Sequence, residues 1–313
     1  MEKTGRRCRG GHGSGTDVEA GAVLPAALRV IRARRRPLLR STLTAVALAG
    51  LGGLLVTTVA FVIARPAFAR WWDERRQAHS QGDSYVPDSE LLLHLIAAGI
   101  PFLLVILWLG CAALQTAHTR AVTGTARPAR GSRRRLGSVV AVYVLRSVIV
   151  CSVPAAVFWP GLHLRPDTGR RALLLDVLTG PAAFVALVLR LGLTLAPAAA
   201  ASGAGPLAAL RRSWTLVWRP RAWWKALAVA VPAGVLTVGT FVLLLHAAGP
   251  LRRVVRPAVM ACATDNPYVA YAAGLLAPTA AALLLTAALA LPVVHTSFAV
   301  LHERLGEART PAG

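Results

Sequence analysis

Six long apolar stretches constrain this chain more than any other feature. They fall at residues 41–64, 91–116, 137–160, 173–198, 226–249 and 269–299. Each is long enough to cross about 30 Å of hydrocarbon at about 1.5 Å per residue. Hydrocarbon offers a backbone N–H or C=O no partner, so a segment that crosses it must satisfy those groups internally, as a helix does. The expected fold is therefore all-α, a polytopic six-helix transmembrane bundle, with residues 23–307 forming a single integral membrane domain. Composition agrees, because charged residues make up 15% of the chain against ~25% in soluble domains. Prolines sit inside five of the stretches (Pro101, Pro154, Pro181, Pro232, and Pro278 with Pro292). Membrane helices tolerate them, usually with a kink. Ala67-Phe68-Ala69 looks like a signal-peptide cleavage site. The first stretch nevertheless exceeds a signal core of roughly 7–15 residues, and it is read as an uncleaved span.

Charge sets the expected orientation. The chain carries 35 Lys and Arg against 13 Asp and Glu, a formal net charge of +22. With the N-terminus inside, 23 of those basic residues fall in cytoplasmic segments and ten in outer ones. An excess of base marks the cytoplasmic side, so both termini are expected in the cytoplasm. Arginine-dominated base with abundant Ala, Gly and Pro points to a bacterial plasma membrane. Trp71, Trp72 and Trp159 fall at expected outer boundaries, and Trp223 and Trp224 at an inner one, as an aromatic belt requires.

Residues 1–22, rich in Gly, Arg and Ser, are read as a disordered basic tail, and 308–313 as a second short tail. Between the first tail and the first span lies a basic stretch, Leu24 to Arg36. On a helical wheel Leu24, Ala27, Leu28 and Ile31 share one face and Arg29, Arg32 and Arg36 another, with Pro37 ending the helix. Pro25-Ala-Ala-Leu-Arg29 finds an echo in Leu207-Ala-Ala-Leu-Arg211, and both stretches reach a proline (Pro37, Pro220) before a span. Residues 116–135 take the same place before the third span. These stretches predict short cytoplasmic amphipathic helices lying in the headgroup plane. Arg29, Arg32, Arg36, Arg211, Arg212, Trp214 and Trp218 are the expected contacts to anionic headgroups, which attract each basic residue by ~1 kcal/mol. That placement explains the charge without nucleic acid.

One stretch carries a resemblance. Arg190-Leu-Gly-Leu-Thr-Leu-Ala-Pro197 is followed by Gly205-Pro-Leu-Ala-Ala-Leu-Arg-Arg-Ser-Trp-Thr-Leu-Val-Trp218. The pair resembles the membrane domain found beside some bacterial glycerophosphoryl diester phosphodiesterases, and related stand-alone six-helix membrane proteins. Members place an arginine late in the fourth helix and then a Gly-x-x-x-Ala-Leu-Arg-Arg-Ser-Trp run. The resemblance covers roughly residues 24–307 but is specific only over 190–218. It implies a fold more than an activity. Members often carry a glutamate before the glycine-rich turn, where this chain has Ala200 and Ala201.

No motif in the sequence assembles catalytic chemistry. Phosphodiester hydrolysis needs acids and histidines gathered around a metal, whereas His94, His246 and His295 lie singly in spans and the other histidines in loops or tails. The four cysteines show neither CxxC nor zinc spacing. No catalytic residue, cofactor or metal is therefore expected. The costly residues are the charged ones inside spans. A mid-span arginine costs ~2.5–3.5 kcal/mol on insertion scales. Arg146 is deep, Arg190 lies near the cytoplasmic end and can snorkel, and Asp176 is the only acid within a span. The expected function is non-enzymatic: a scaffold or a lipid- or solute-handling component, with membrane-protein partners possible. The alternative is a small-solute or lipid transporter using a polar cavity near Arg146 and Arg190.

Overall fold

The computed structural model describes residues 23–81, 90–124, 132–163, 169–220 and 222–307. Both expected tails, 1–22 and 308–313, lie outside the described residues. All elements among the described residues are helices: α1 (Val23–Ala33), α2 (Arg35–Gln81), α3 (Glu90–Thr123), α4 (Ser132–His163), α5 (Gly169–Gly192), α6 (Ala196–Ala201), α7 (Pro206–Val217), α8 (Ala222–Ala247), α9 (Leu251–Cys262), α10 (Pro267–Leu289) and α11 (Leu291–Glu307). Among them, six helical segments are long and apolar enough to cross a membrane: α2, α3, α4, α5 continuing into α6, α8, and α10 continuing into α11. Their outward leucines and valines are bare, as on α2, where Leu48, Leu51 and Leu55 are about two-thirds exposed. Surface of that kind needs hydrocarbon or another chain to cover it.

The long helices follow one another around the bundle in chain order. Helix α3 packs between α2 and α4, α4 packs on α5, and α10 packs between α2 and α8. The seam between α5 and α8 is the thinnest in this ring. At one end α11 turns in to contact α1, α3, α6 and α8. A core there joins Val23 and Ala27 of α1, Leu216 and Val217 of α7, Ala222, Ala226 and Val229 of α8, and Val300, Leu301 and Leu305 of α11.

The amphipathic stretches at that end are helical, but their apolar faces divide between protein and surroundings. In α1, Val23 and Ala27 are fully buried while Leu24 and Leu28 stay exposed. Arg29, Arg32 and Arg36 are all exposed. Pro37 does not end α1. The helix stops at Ala33, Arg34 makes the turn, and Pro37 sits in the first turn of α2, where a missing N–H costs little. Helices α1 and α7 each lead into a long span. Residues 116–123 instead complete α3, so the third repeat unit has no separate amphipathic helix among its described residues.

Two differences from the expected spans concern length. Helix α2 has 47 residues, about 70 Å of rise, and so continues well past residue 64. Its far part is held to α10. Phe68 and Trp71 are buried against each other and against Tyr268, and Asn266 donates from Nδ2 to the Phe68 carbonyl at 2.7 Å. Trp71 is thus a packed residue and not part of a surface belt. The other difference is α9, an amphipathic helix within what reads in sequence as an outer loop.

Candidate functional site

The fourth span breaks, and the break flanks an interior polar region. The fourth span leaves the α-helix at Leu193–Leu195 and resumes as α6. Pro197 cannot donate to the carbonyl four residues back. That carbonyl, of Leu193, accepts from Ala196 at 3.3 Å instead. The remaining orphans are met by one side chain. Ser213 of α7 donates to the Gly192 carbonyl at 2.7 Å and accepts from the Leu195 N–H at 3.2 Å. Beside it Trp214 covers Gly192, so close that a Cβ there would stand 2.5 Å from the indole. The Arg-Arg-Ser-Trp run therefore has a local reason: serine bonds the break and tryptophan covers it. The sixth span, by contrast, runs through Ala290 with its hydrogen bonds kept: Ala290 donates to the Thr286 carbonyl at 2.8 Å and accepts from Val294 at 3.1 Å. Ala200 and Ala201 are buried in α6.

Beside the break in the fourth span α3 and α11 bring polar side chains together. His295 of α11 lies 2.7 Å through Nδ1 from Gln115 Oε1 of α3. The amide's Nε2 donates to Thr119 at 3.2 Å. His118 of α3 lies 2.7 Å through Nδ1 from Thr296 Oγ1 of α11. Geometry fixes both tautomers. Gln115 Oε1 has no proton to give, and the Thr296 hydroxyl already donates to the Pro292 carbonyl at 2.7 Å. Each imidazole must therefore donate from Nδ1, leaving Nε2 as an acceptor. The two rings lie 6.3 Å apart. Both Nε2 atoms are buried and without a protein partner.

Deeper in, the cluster acquires charge. Arg146 lies about 21 Å along α4 from Ser132 and is half-buried. Its guanidinium is within electrostatic range of Cys111 on α3, Tyr143 on α4, Arg190 on α5 and His295 on α11. Those groups lie on α3, α5 and α11 as well as on Arg146's own helix. Trp108 of α3 donates to Ser147 of α4 at 3.2 Å at the same level. Arg190 is exposed on α5, the helix that borders the thin seam with α8. Asp176 is placed by its backbone alone. It lies about 21 Å from Arg190 along α5, and its side chain is outside the described residues. Two cations thus share one level of the bundle with no carboxylate beside them among the described residues of the spans.

The remaining sequence-predicted residues sit at the α1 and α7 end. Arg211 is exposed, and Trp214 and Trp218 are about 40% exposed with rings 5.6 Å apart. Arg212 differs. It is half-buried, its Nε is enclosed without an acceptor, and its guanidinium approaches Gly306 and His302 of α11. Sequence reading places His118 in a loop and His295 alone in a span, and it passes over Gln115 and Ser213. The available signal was spacing: Gln115, His118 and Thr119 fall at i, i+3 and i+4, one face of a helix. No group of three or more His, Cys, Asp or Glu suited to a metal occurs among the described residues. Comparisons with family models, curated proteins and solved structures find no match, so the resemblance rests on residues 190–218 alone.

Proposed function

We propose that this chain is a non-enzymatic multi-pass protein of a bacterial plasma membrane that binds and passes an anionic solute or lipid headgroup through the cluster around Arg146. The observation that carries this reading is the pair Arg146 and Arg190, within electrostatic range of each other and without an acid at their level among the described residues. An anionic oxygen between them relieves their repulsion and takes up guanidinium donors. The bare Nε2 atoms of His118 and His295 accept from hydroxyl or N–H groups on the same ligand. The broken fourth span fits such a role, because interrupted helices surround the binding sites of many transporters. Arg190, exposed on α5, is the residue of the pair that a headgroup would meet first.

Orientation follows the base count, with both termini and the α1 and α7 end in the cytoplasm. Arg29, Arg32, Arg36 and Arg211 then meet anionic headgroups, and nucleic acid is not a partner. Reporter fusions after Gly82 and after Gly313 should read periplasmic and cytoplasmic, respectively. Both reporters on one side would overturn this arrangement.

The function itself is tested by reconstitution. Purified protein in liposomes should either carry phosphate-bearing anions across or scramble fluorescent phosphatidylglycerol between leaflets, faster than protein-free vesicles. Neither activity in a correctly folded preparation leaves the scaffold reading, in which membrane-protein partners should co-purify.

A further inference from the structure

Helix α9 lies at the opposite end of the bundle from α1 and α7, joining the end of α8 to the start of α10. Its sequence, Leu251 to Cys262, sorts by helical position. Arg252, Arg253 and Arg256 share one face, Leu251, Val254, Ala258 and Cys262 share another, and Val255 and Val259 are the half-buried positions. None of its residues is buried. On the apolar face Leu251 is 39% exposed and Val254 65%, so it is left for lipid, as in an interfacial helix. The arginine face instead closes a cleft against α10.

That cleft has a volume of about 270 Å³ and is lined by Arg252, Arg253 and Arg256 with Tyr271, Gly274 and Leu275. No carboxylate among the described residues lines it. Arg256 is braced over the Tyr271 ring, 5.8 Å from its centroid. Gly274 forms the floor; a Cβ there would stand 3.6 Å from Arg256 Cβ and 3.7 Å from the Arg252 carbonyl. Arg252 and Arg253 also occupy the first turn of α9, where the helix dipole adds positive potential to their own. Three guanidinium groups around a headgroup-sized space are matched by a phosphate monoanion or diester. A soluble phosphate would explain the charge but not the bare apolar face that Leu251 and Val254 present beside it.

We infer that the α9–α10 cleft binds the phosphate of an anionic phospholipid, whose acyl chains run along the apolar face of α9. This site is separate from the Arg146 cluster and does not depend on it. The test places photo-reactive benzoylphenylalanine at Leu275 of the full chain, reconstituted with equal amounts of phosphatidylglycerol and phosphatidylcholine. Cross-links should favour phosphatidylglycerol. Replacing all three arginines by Gln (Arg252→Gln, Arg253→Gln, Arg256→Gln) should cut that preference about tenfold or more, since each basic residue at a membrane surface contributes substantially to anion attraction. The Lys triple should keep much of it. None of these side chains is buried, and circular dichroism should report an unchanged helix content. Arg146→Gln, which leaves the cleft intact, should keep the preference. An unchanged preference in the Gln triple would overturn the site. Loss of preference on adding free glycerol 3-phosphate would overturn the lipid as occupant in favour of a soluble anion.

Discussion

Replacing Arg146 by leucine should leave a protein that inserts better and binds worse. An arginine near mid-span costs ~2.5–3.5 kcal/mol to insert, and leucine gains a few tenths. Apparent insertion of α4 should therefore improve by about 3–4 kcal/mol, read as the inserted fraction in a translocation assay. Affinity for the anion should move the other way. A guanidinium supplies charge-assisted hydrogen bonds of ~1.5–3 kcal/mol each. Loss of two such bonds weakens binding about a hundredfold or more. Arg146→Lys keeps the charge but not the planar fork and should retain part of the activity. Fluxes from reconstituted vesicles separate the cases. Equal flux in wild type and Arg146→Leu would mean that the arginine is only a tolerated cost. The same set judges Arg190, which is exposed and should matter more for the rate of capture than for affinity.

The six spans were legible in the sequence because hydrocarbon imposes a length and a composition that few other environments demand. The boundaries were less so, for reasons visible at particular residues. Hydropathy falls after Thr116, yet α3 continues to Thr123 because its polar residues are buried against α11 and not in water. His118 is fully buried there, and its partner Thr296 lies far along the chain. Helix α9 was hidden by averaging. Its arginines and valines cancel in a hydropathy window, although their period near 3.6 carries the helix signal. The break in the fourth span was half visible. Pro197 announces a lost hydrogen bond, but only the folded chain shows that Ser213 compensates for it. Arg146 was singled out by depth alone, while its surroundings of Cys111, Tyr143, Arg190 and His295 come from four helices that meet only in the fold.

Ser213→Ala should be among the most destabilising single changes in the protein, although it removes one oxygen atom. Ser213 is fully buried. Its hydroxyl donates to the Gly192 carbonyl and accepts from the Leu195 N–H. Both groups belong to a helix break in a buried, alanine-rich region, so neither gains water when the oxygen goes. An orphaned buried group costs ~1–3 kcal/mol, and two orphans together cost about 2–5 kcal/mol. Nor can the chain heal the break by forming regular helix, because Pro197 lacks the N–H that the Leu193 carbonyl would need. The proper comparison is Ser202→Ala. Ser202 also bonds a backbone carbonyl, that of Ala199 at 2.8 Å, but the residue is exposed, and water can replace the bond. Its loss should stay within about 0.5 kcal/mol. Detergent-induced unfolding of the purified variants measures both. Near-equal midpoints would show that the fourth span does not need Ser213, and that the serine of the Arg-Arg-Ser-Trp run is not held in place by the break it bonds. A large loss confined to Ser213→Ala would instead tie that run to the fold, leaving Arg146 and its neighbours to account for function.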